Sequence, residues 1–244
     1  MNFTTTNQAL DQIQVDCLMI GIARTHEGTP SLGPSAQACD QTLSGFISEL
    51  IDSGDAQTQA GKTLLVHTPT HPSARRILLV GMGEDEKRDK VTFKKCVNAA
   101  GKALRQSPAK SAHCTLTEYA ITDADSHWAT RDAALTLAHS DYVYEATKKP
   151  KPEAPPATDS VSFPEGEGVA SELHIAQGIS AGVSLCRDLG DLPPNLCQPT
   201  YLAEVAQKMA NEHGGLAAEI LEEDQMAKLG MNALLAVGQG SASP

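Results

Sequence analysis

Gly61-Lys62-Thr63 carries the ending of a phosphate-binding loop, where glycine lets backbone N–H groups wrap a phosphate and lysine meets its charge. That loop also needs a glycine five positions earlier. This chain has Ala56 there, so the segment reads as a turn into a strand. Gly81-Met82-Gly83 follows an apolar run, as a dinucleotide fingerprint does, but its third glycine position holds Glu86. A carboxylate there repels a pyrophosphate and forbids the close helix packing that glycine permits. His67 and His71 are four apart, the spacing of two metal ligands on one helical face, yet Pro69 lies between them. Glu222, Glu223 and Asp224 form an acidic cluster at an expected helix start, where the dipole favours negative charge without any metal. Cys197 follows a Pro-Pro turn, but no basic neighbour in sequence would lower its pKa. None of these groups makes a complete active site.

The elements that would position them follow an α/β pattern. Cys17–Ile22, Thr63–His67 and Arg76–Val80 are short apolar runs that read as strands, and His113–Tyr119 alternates weakly. Residues 38–51, 91–106 and 128–142 carry apolar residues at helical spacing. From Lys148 to Pro164 the chain has five prolines and almost no large apolar residue, which reads as a linker over 148–168. It separates an amino-terminal α/β domain, 1–147, from a second unit, 169–244. In that unit, helices are expected over 169–187, 200–213 (capped by Thr200) and 224–229, with strands over 217–221 and 234–237.

Composition narrows the class. Apolar residues make up 41% of the chain and aromatics only 4%, so the core is built from small aliphatics. The net charge of −11 disfavours nucleic acid as a main partner. Cys17, Cys39, Cys96, Cys114, Cys186 and Cys197 fit no zinc-finger spacing and read as thiols in a reducing compartment. The amino terminus has no apolar signal region, and no apolar run approaches the ~20 residues needed to cross a bilayer. A cytoplasmic chain with no membrane contact is expected.

Residues Arg187 to Pro199, RDLGDLPPNLCQP, followed by TYLAEVAQKMA, resemble the end of the interdomain helix in the cytosolic leucyl aminopeptidases of the two-metal, bacterial type. Gly230 to Ser241, GMNALLAVGQGS, is similar to the strand and Gly-rich loop that open that family's catalytic domain, and RILLVGMG at 76–83 to its amino-terminal strand and turn. Asp191 stands where the family usually has Asn. An ionised Asp only accepts hydrogen bonds, so the turn is expected to be looser there.

The resemblance implies an amino-terminal macro-like α/β domain, an interdomain helix and the first elements of an α/β peptidase catalytic domain. It implies a metalloprotease acting in proteolysis, a hydrolase that removes amino-terminal residues, preferably Leu, from peptides. It also implies a homohexamer and two divalent cations, Mn or Zn. The family's ligands lie in a Gly-Lys-Gly block and an Asn-Thr-Asp-Ala-Glu-Gly-Arg block that do not occur here; Gly61-Lys62 and Gly101-Lys102 stand in other contexts. The chain therefore reads as a front half that ends before its metal site. No residue is assigned a catalytic, cofactor-binding or metal role, and the piece alone is expected to be inactive. The alternative is a stand-alone binding or assembly module, with a macro-like nucleotide-ligand or DNA-binding role.

Overall fold

The structure, a computed structural model, describes residues 1–149 and 156–241. The chain divides into two compact units, one of residues 1–143 and 149–184, the other of 144–148 and 185–244.

The first unit is built on a seven-stranded sheet. Its strands are β1 (Asn2–Thr6), β2 (Val15–Arg24), β3 (Pro30–Ser31), β4 (Thr63–His67), β5 (Ala74–Glu84), β6 (Ser111–Cys114) and β7 (Ser160–Pro164). The order is β1-β7-β6-β2-β5-β4, with β3 hydrogen-bonded to β2. All neighbours along that path are parallel except β4, which runs antiparallel to β5. The helices are α1 (Pro34–Thr42), α2 (Phe46–Asp52), α3 (Lys90–Arg105), α4 (Ser126–Asp141) and the first part of α5 (Val169–Asp191).

Central strands covered on both faces must be apolar on both. In β2, Cys17, Met19 and Ala23 enter one core with Leu78, Val80 and Met82 of β5, under Phe93, Cys96 and Val97 of α3 and Ala133 and Leu137 of α4. Leu18, Ile20 and Ile22 enter the other with Ile77 and Leu79, under Ala36, Cys39 and Ile47 of α1 and α2. The continuous apolar runs of the sequence are these two strands.

Three expectations for this unit are corrected. The single helix over 38–51 is two, broken where Ser44 and Gly45 take φ of 57° and 89°. The carboxylate of Asp40 restarts it, accepting from the N–H groups of Ile47 (2.7 Å) and Ser48 (3.0 Å). The strand over 113–119 stops at Cys114 and becomes a 3-10 turn at Leu116–Glu118. Of the linker over 148–168, residues 150–155 lie outside the described residues, but Ser160–Pro164 is β7, inserted between β1 and β6. Val161 and Phe163 are fully buried, and the Phe163 ring meets Phe3 edge-on at 6.2 Å. Two apolar residues at period two suffice for a strand, even after a proline-rich run.

The second unit holds the end of α5, then α6 (Pro199–Glu212), α7 (Glu223–Lys228) and α8 (Asn232–Gly238). The carbonyl of Pro193 accepts from the N–H groups of Leu196 (2.9 Å) and Cys197 (3.0 Å), closing the Pro-Pro turn. Gln198, not Thr200, takes the N-cap position of α6, and Pro199 fills N1, where its missing N–H costs nothing. Residues 217–221 form no strand, and 234–237, expected as a strand, lie in α8. Among the described residues no strand lies beside this segment, and Ala and Leu close their backbone hydrogen bonds locally as a helix instead. α6, α7 and α8 contain no buried residue.

Amide exchange follows from this contrast. Exchange should be fast across 217–241 and slow in β2 and β5. Protection through Val237 equal to that of β2 would contradict the packing described.

Candidate functional site

In open α/β sheets, ligands bind outside the carboxyl ends of parallel strands. Here that ground is the end of β2, β5 and β6, and side chains of the chain itself fill it. After β6 the 3-10 turn carries Tyr119 back over β2. Its hydroxyl donates to the Gly21 carbonyl (2.6 Å) and accepts from the Gly33 N–H (3.1 Å). Burial pushes the phenol up to about 12, so it stays a neutral hydroxyl. A Cβ on Gly21 would overlap the Tyr119 ring and lie 2.9 Å from Met82 Cγ. Only glycine fits there.

Arg88 completes the closure. It is 1% exposed, and its guanidinium lies 4.9 Å from the centre of the Tyr119 ring. Nε donates to the Met82 carbonyl (2.9 Å), Nη1 to the Ala120 carbonyl (3.0 Å) and Nη2 to the Asp85 carboxylate (2.8 Å). Beside it, Glu118 accepts from the Ser35 backbone N–H (3.2 Å) and hydroxyl. It supplies the cap that Gly33, the N-cap residue of α1, has no side chain to provide. A neighbouring cavity of about 490 Å³ is lined by Thr25, His26, Glu27, Thr29, Asp85 and Glu86; Asp85 is paired with Arg88, and the carboxylates of Glu27 and Glu86 oppose a phosphate ligand. This arrangement speaks against the nucleotide-binding alternative.

The two glycine motifs are explained together. The N–H of Gly61 donates to the Gly81 carbonyl (2.9 Å), that of Gly81 to the Lys62 carbonyl (2.8 Å), and that of Gly83 to the Thr58 carbonyl (2.8 Å). Groups that would wrap a phosphate are spent on each other, extending the β4–β5 hairpin. A Cβ on Gly81 would collide with the backbone carbonyl of Gln59 and lie 2.6 Å from that of Gln57.

The remaining candidates are not brought together. His67 is exposed on β4, whereas His71 is buried in the following turn, where its Nδ1 accepts from the Ser73 N–H (3.3 Å). Burial lowers the pKa of His71, keeping the ring neutral. Glu222 and Gln225 form a reciprocal capping box at α7, and Glu223 and Asp224 lie in its first turn, where the helix dipole favours negative charge. All six cysteines are free thiols: four are buried, Cys197 is half-buried and Cys186 exposed. Burial pushes Cys17, Cys39 and Cys114 up to about 12. Asp191 is the last residue of α5 and is exposed.

Gly178-Ile179-Ser180-Ala181-Gly182 has the spacing of a hydrolase nucleophile elbow. It lies mid-helix in α5, whereas the elbow needs a strand-to-helix turn. Neither Arg88 nor Tyr119 stands in a recognisable sequence motif. A cavity of about 600 Å³ around Trp128 has its carboxylates already engaged. Asp125 caps α4, Asp123 holds the Lys90 N–H, and Glu172 lies 3.3 Å from Arg131. Among the described residues, no three His, Cys, Asp or Glu side chains converge to hold a metal ion, and none of the helices is long and apolar enough to cross a membrane.

Residues 22–151 match the model of the N-terminal domain of the cytosol aminopeptidase family, and residues 184–244 that of its catalytic domain. The chain belongs to the cytosol aminopeptidase family. A probable cytosol aminopeptidase from Stenotrophomonas maltophilia is 41% identical over 241 residues, covering 98% of this chain and 48% of the relative. One from Xanthomonas campestris pv. campestris is 36% identical over 245 residues, covering 100% and 48%. This member of the family thus spans about half the length of the curated relatives it matches. The fold is that of a tomato leucine aminopeptidase mutant (TM-score 0.71, 22% identity, 94% of this chain and 46% of that one). It is also that of the bottromycin maturation enzyme BotP in complex with Mn (TM-score 0.69, 20% identity, 94% and 43%).

Gly81→Ala should lower the unfolding free energy by about 2–3 kcal/mol, because backbone carbonyls cannot retreat from the added methyl. Gly178→Ala, in open space on a helix, should raise it by about 0.5–1 kcal/mol. Urea denaturation measures both. Equal midpoints for Gly81→Ala and the parent chain would refute the close approach.

Proposed function

We propose that this chain is the front part of a metal-dependent leucyl aminopeptidase that removes amino-terminal residues, preferably Leu, from peptides. The observation that carries the reading is the match of 184–244 to the family's catalytic-domain model, in a chain about half as long as its relatives. Two divalent cations, Mn or Zn, would supply a hydroxide nucleophile near neutral pH. Their ligands would come from polypeptide beyond Pro244, in a cytoplasmic homohexamer. The functional boundary is proposed within α5, after the sheet that β7 completes, with the amino-terminal α/β domain supporting the catalytic part rather than taking part in the reaction.

The exposed side chains of the second unit support the same reading. Leu202 is 45% exposed, Leu216 51%, Leu234 55% and Val237 79%. Apolar side chains in such density need cover, and further catalytic-domain polypeptide would provide it.

The purified 244-residue chain should hydrolyse no leucine amide, with or without added Mn²⁺ or Zn²⁺. Reading the gene past the Pro244 codon should find the Gly-Lys-Gly and Asn-Thr-Asp-Ala-Glu-Gly-Arg blocks in frame. Turnover by the chain alone, abolished by a chelator, would contradict the proposal, as would a gene without those blocks.

A further inference from the structure

The turn at Gly61-Lys62 spends its N–H groups on backbone carbonyls, but the Lys62 side chain stays exposed. Beside it, the stem of Lys95 on α3 lies along Gly61, where an added Cβ would stand 3.2 Å from Lys95 Cγ and Cε. Lys95 is one of five basic residues in α3, with Lys90, Lys94, Lys102 and Arg105. That helix carries no acidic residue, in a chain of net charge −11. Lys94 is paired with Asp132 (3.0 Å) and Arg105 with Asp141 (3.6 Å), while Lys90 lies over the Trp128 ring, 5.4 Å from its centre. Lys62, Lys95 and Lys102 are exposed, and among the described residues no carboxylate comes within 4 Å of their ammonium groups.

Val91, Lys95, Asn98 and Lys102 follow one another at helical spacing and form one ridge on the face of α3 turned away from the core. The ridge is about 16 Å long. Val91, at its start, is 75% exposed, the most exposed large apolar side chain of the first unit among the described residues.

We propose that this ridge, with Lys62 beside it, is an interaction surface for a short acidic segment of another protein. Carboxylates of that segment meet the three unpaired lysines, and one apolar side chain meets Val91. Charge complementarity carries the assignment. A nucleic acid fits less well, because the ridge offers no aromatic side chain on which a base could stack. A phosphate backbone makes no use of Val91, and the net charge of −11 repels a longer polyanion beyond the ridge. Exposed ion pairs are individually weak, so the dissociation constant is on the order of 0.1–1 mM at physiological salt. The proposal rests on the first unit alone and stands apart from the peptidase reading.

A ten-residue peptide of glutamates with a central leucine, titrated into the nitrogen-15-labelled 244-residue chain at physiological salt, tests it by NMR. Amide signals of 61–62 and 91–102 should shift together, with one dissociation constant. Lys95→Glu combined with Lys102→Glu should raise that constant about tenfold or more, and Val91→Ser about threefold. All three positions are exposed, so the variants should fold, and circular dichroism checks this. A ten-nucleotide DNA strand and phosphatidylserine vesicles are the competing probes, and both should bind more weakly than the peptide. No shift at millimolar peptide, or shifts centred outside these residues, would overturn the proposal. Tighter binding of the DNA or the vesicles would give the ridge to that partner instead. A Val91→Ser chain that binds the peptide as well as the parent would overturn the choice of a polypeptide.

Discussion

The stacking of the Arg88 guanidinium on the Tyr119 ring, at the carboxyl ends of three strands, holds the first unit in register. A buried arginine costs several kcal/mol to desolvate unless its N–H groups are satisfied. Arg88 meets that cost with two backbone carbonyls and one carboxylate. Those partners lie at Met82 on β5, at Ala120 after the 3-10 turn and at Asp85 between β5 and α3. Tyr119 extends the network to β2 and the start of α1 through Gly21 and Gly33. Two side chains therefore fix the relative positions of five chain segments, and do so where a related fold would keep a ligand crevice.

The glycines follow from that constraint. Gly21 exists as glycine because Tyr119 lies against its Cα, and Gly81 because the 57–62 loop does. Their conformational freedom matters less than their lack of a side chain. This distinguishes them from a phosphate-binding glycine, whose N–H must remain available to the ligand. It also explains why a glycine pattern in sequence resembled two nucleotide motifs and matched neither.

Much of the fold was legible. β2 and β5 are apolar at every position that meets a core, and α3 repeats Phe93, Cys96, Val97, Ala100 and Leu104 on one face. β1 and β7 were not legible, because their threonines and serines alternate with only Phe3, Val161 and Phe163. α8 was misread, because Leu234 to Val237 has the composition of a buried strand, and strand formation needs a partner that a local sequence cannot show. At the site, the N–H groups of both glycine motifs meet backbone carbonyls, and His67 and His71 stand apart, on a strand and in the turn after it. The sequence could not reveal Arg88 or Tyr119, which are 31 residues apart in the chain and meet only through tertiary packing.

The central claim is that the strand ends are closed by this network and are not an empty ligand site. Thermal and urea unfolding of Arg88→Met measures it most directly. Methionine fills much of the same volume but leaves the Met82 and Ala120 carbonyls without their donors. The stability of the first unit should then fall by about 3 kcal/mol or more. An Arg88→Met chain that unfolds at the same denaturant concentration as the parent would show that the network does not hold the strand ends together.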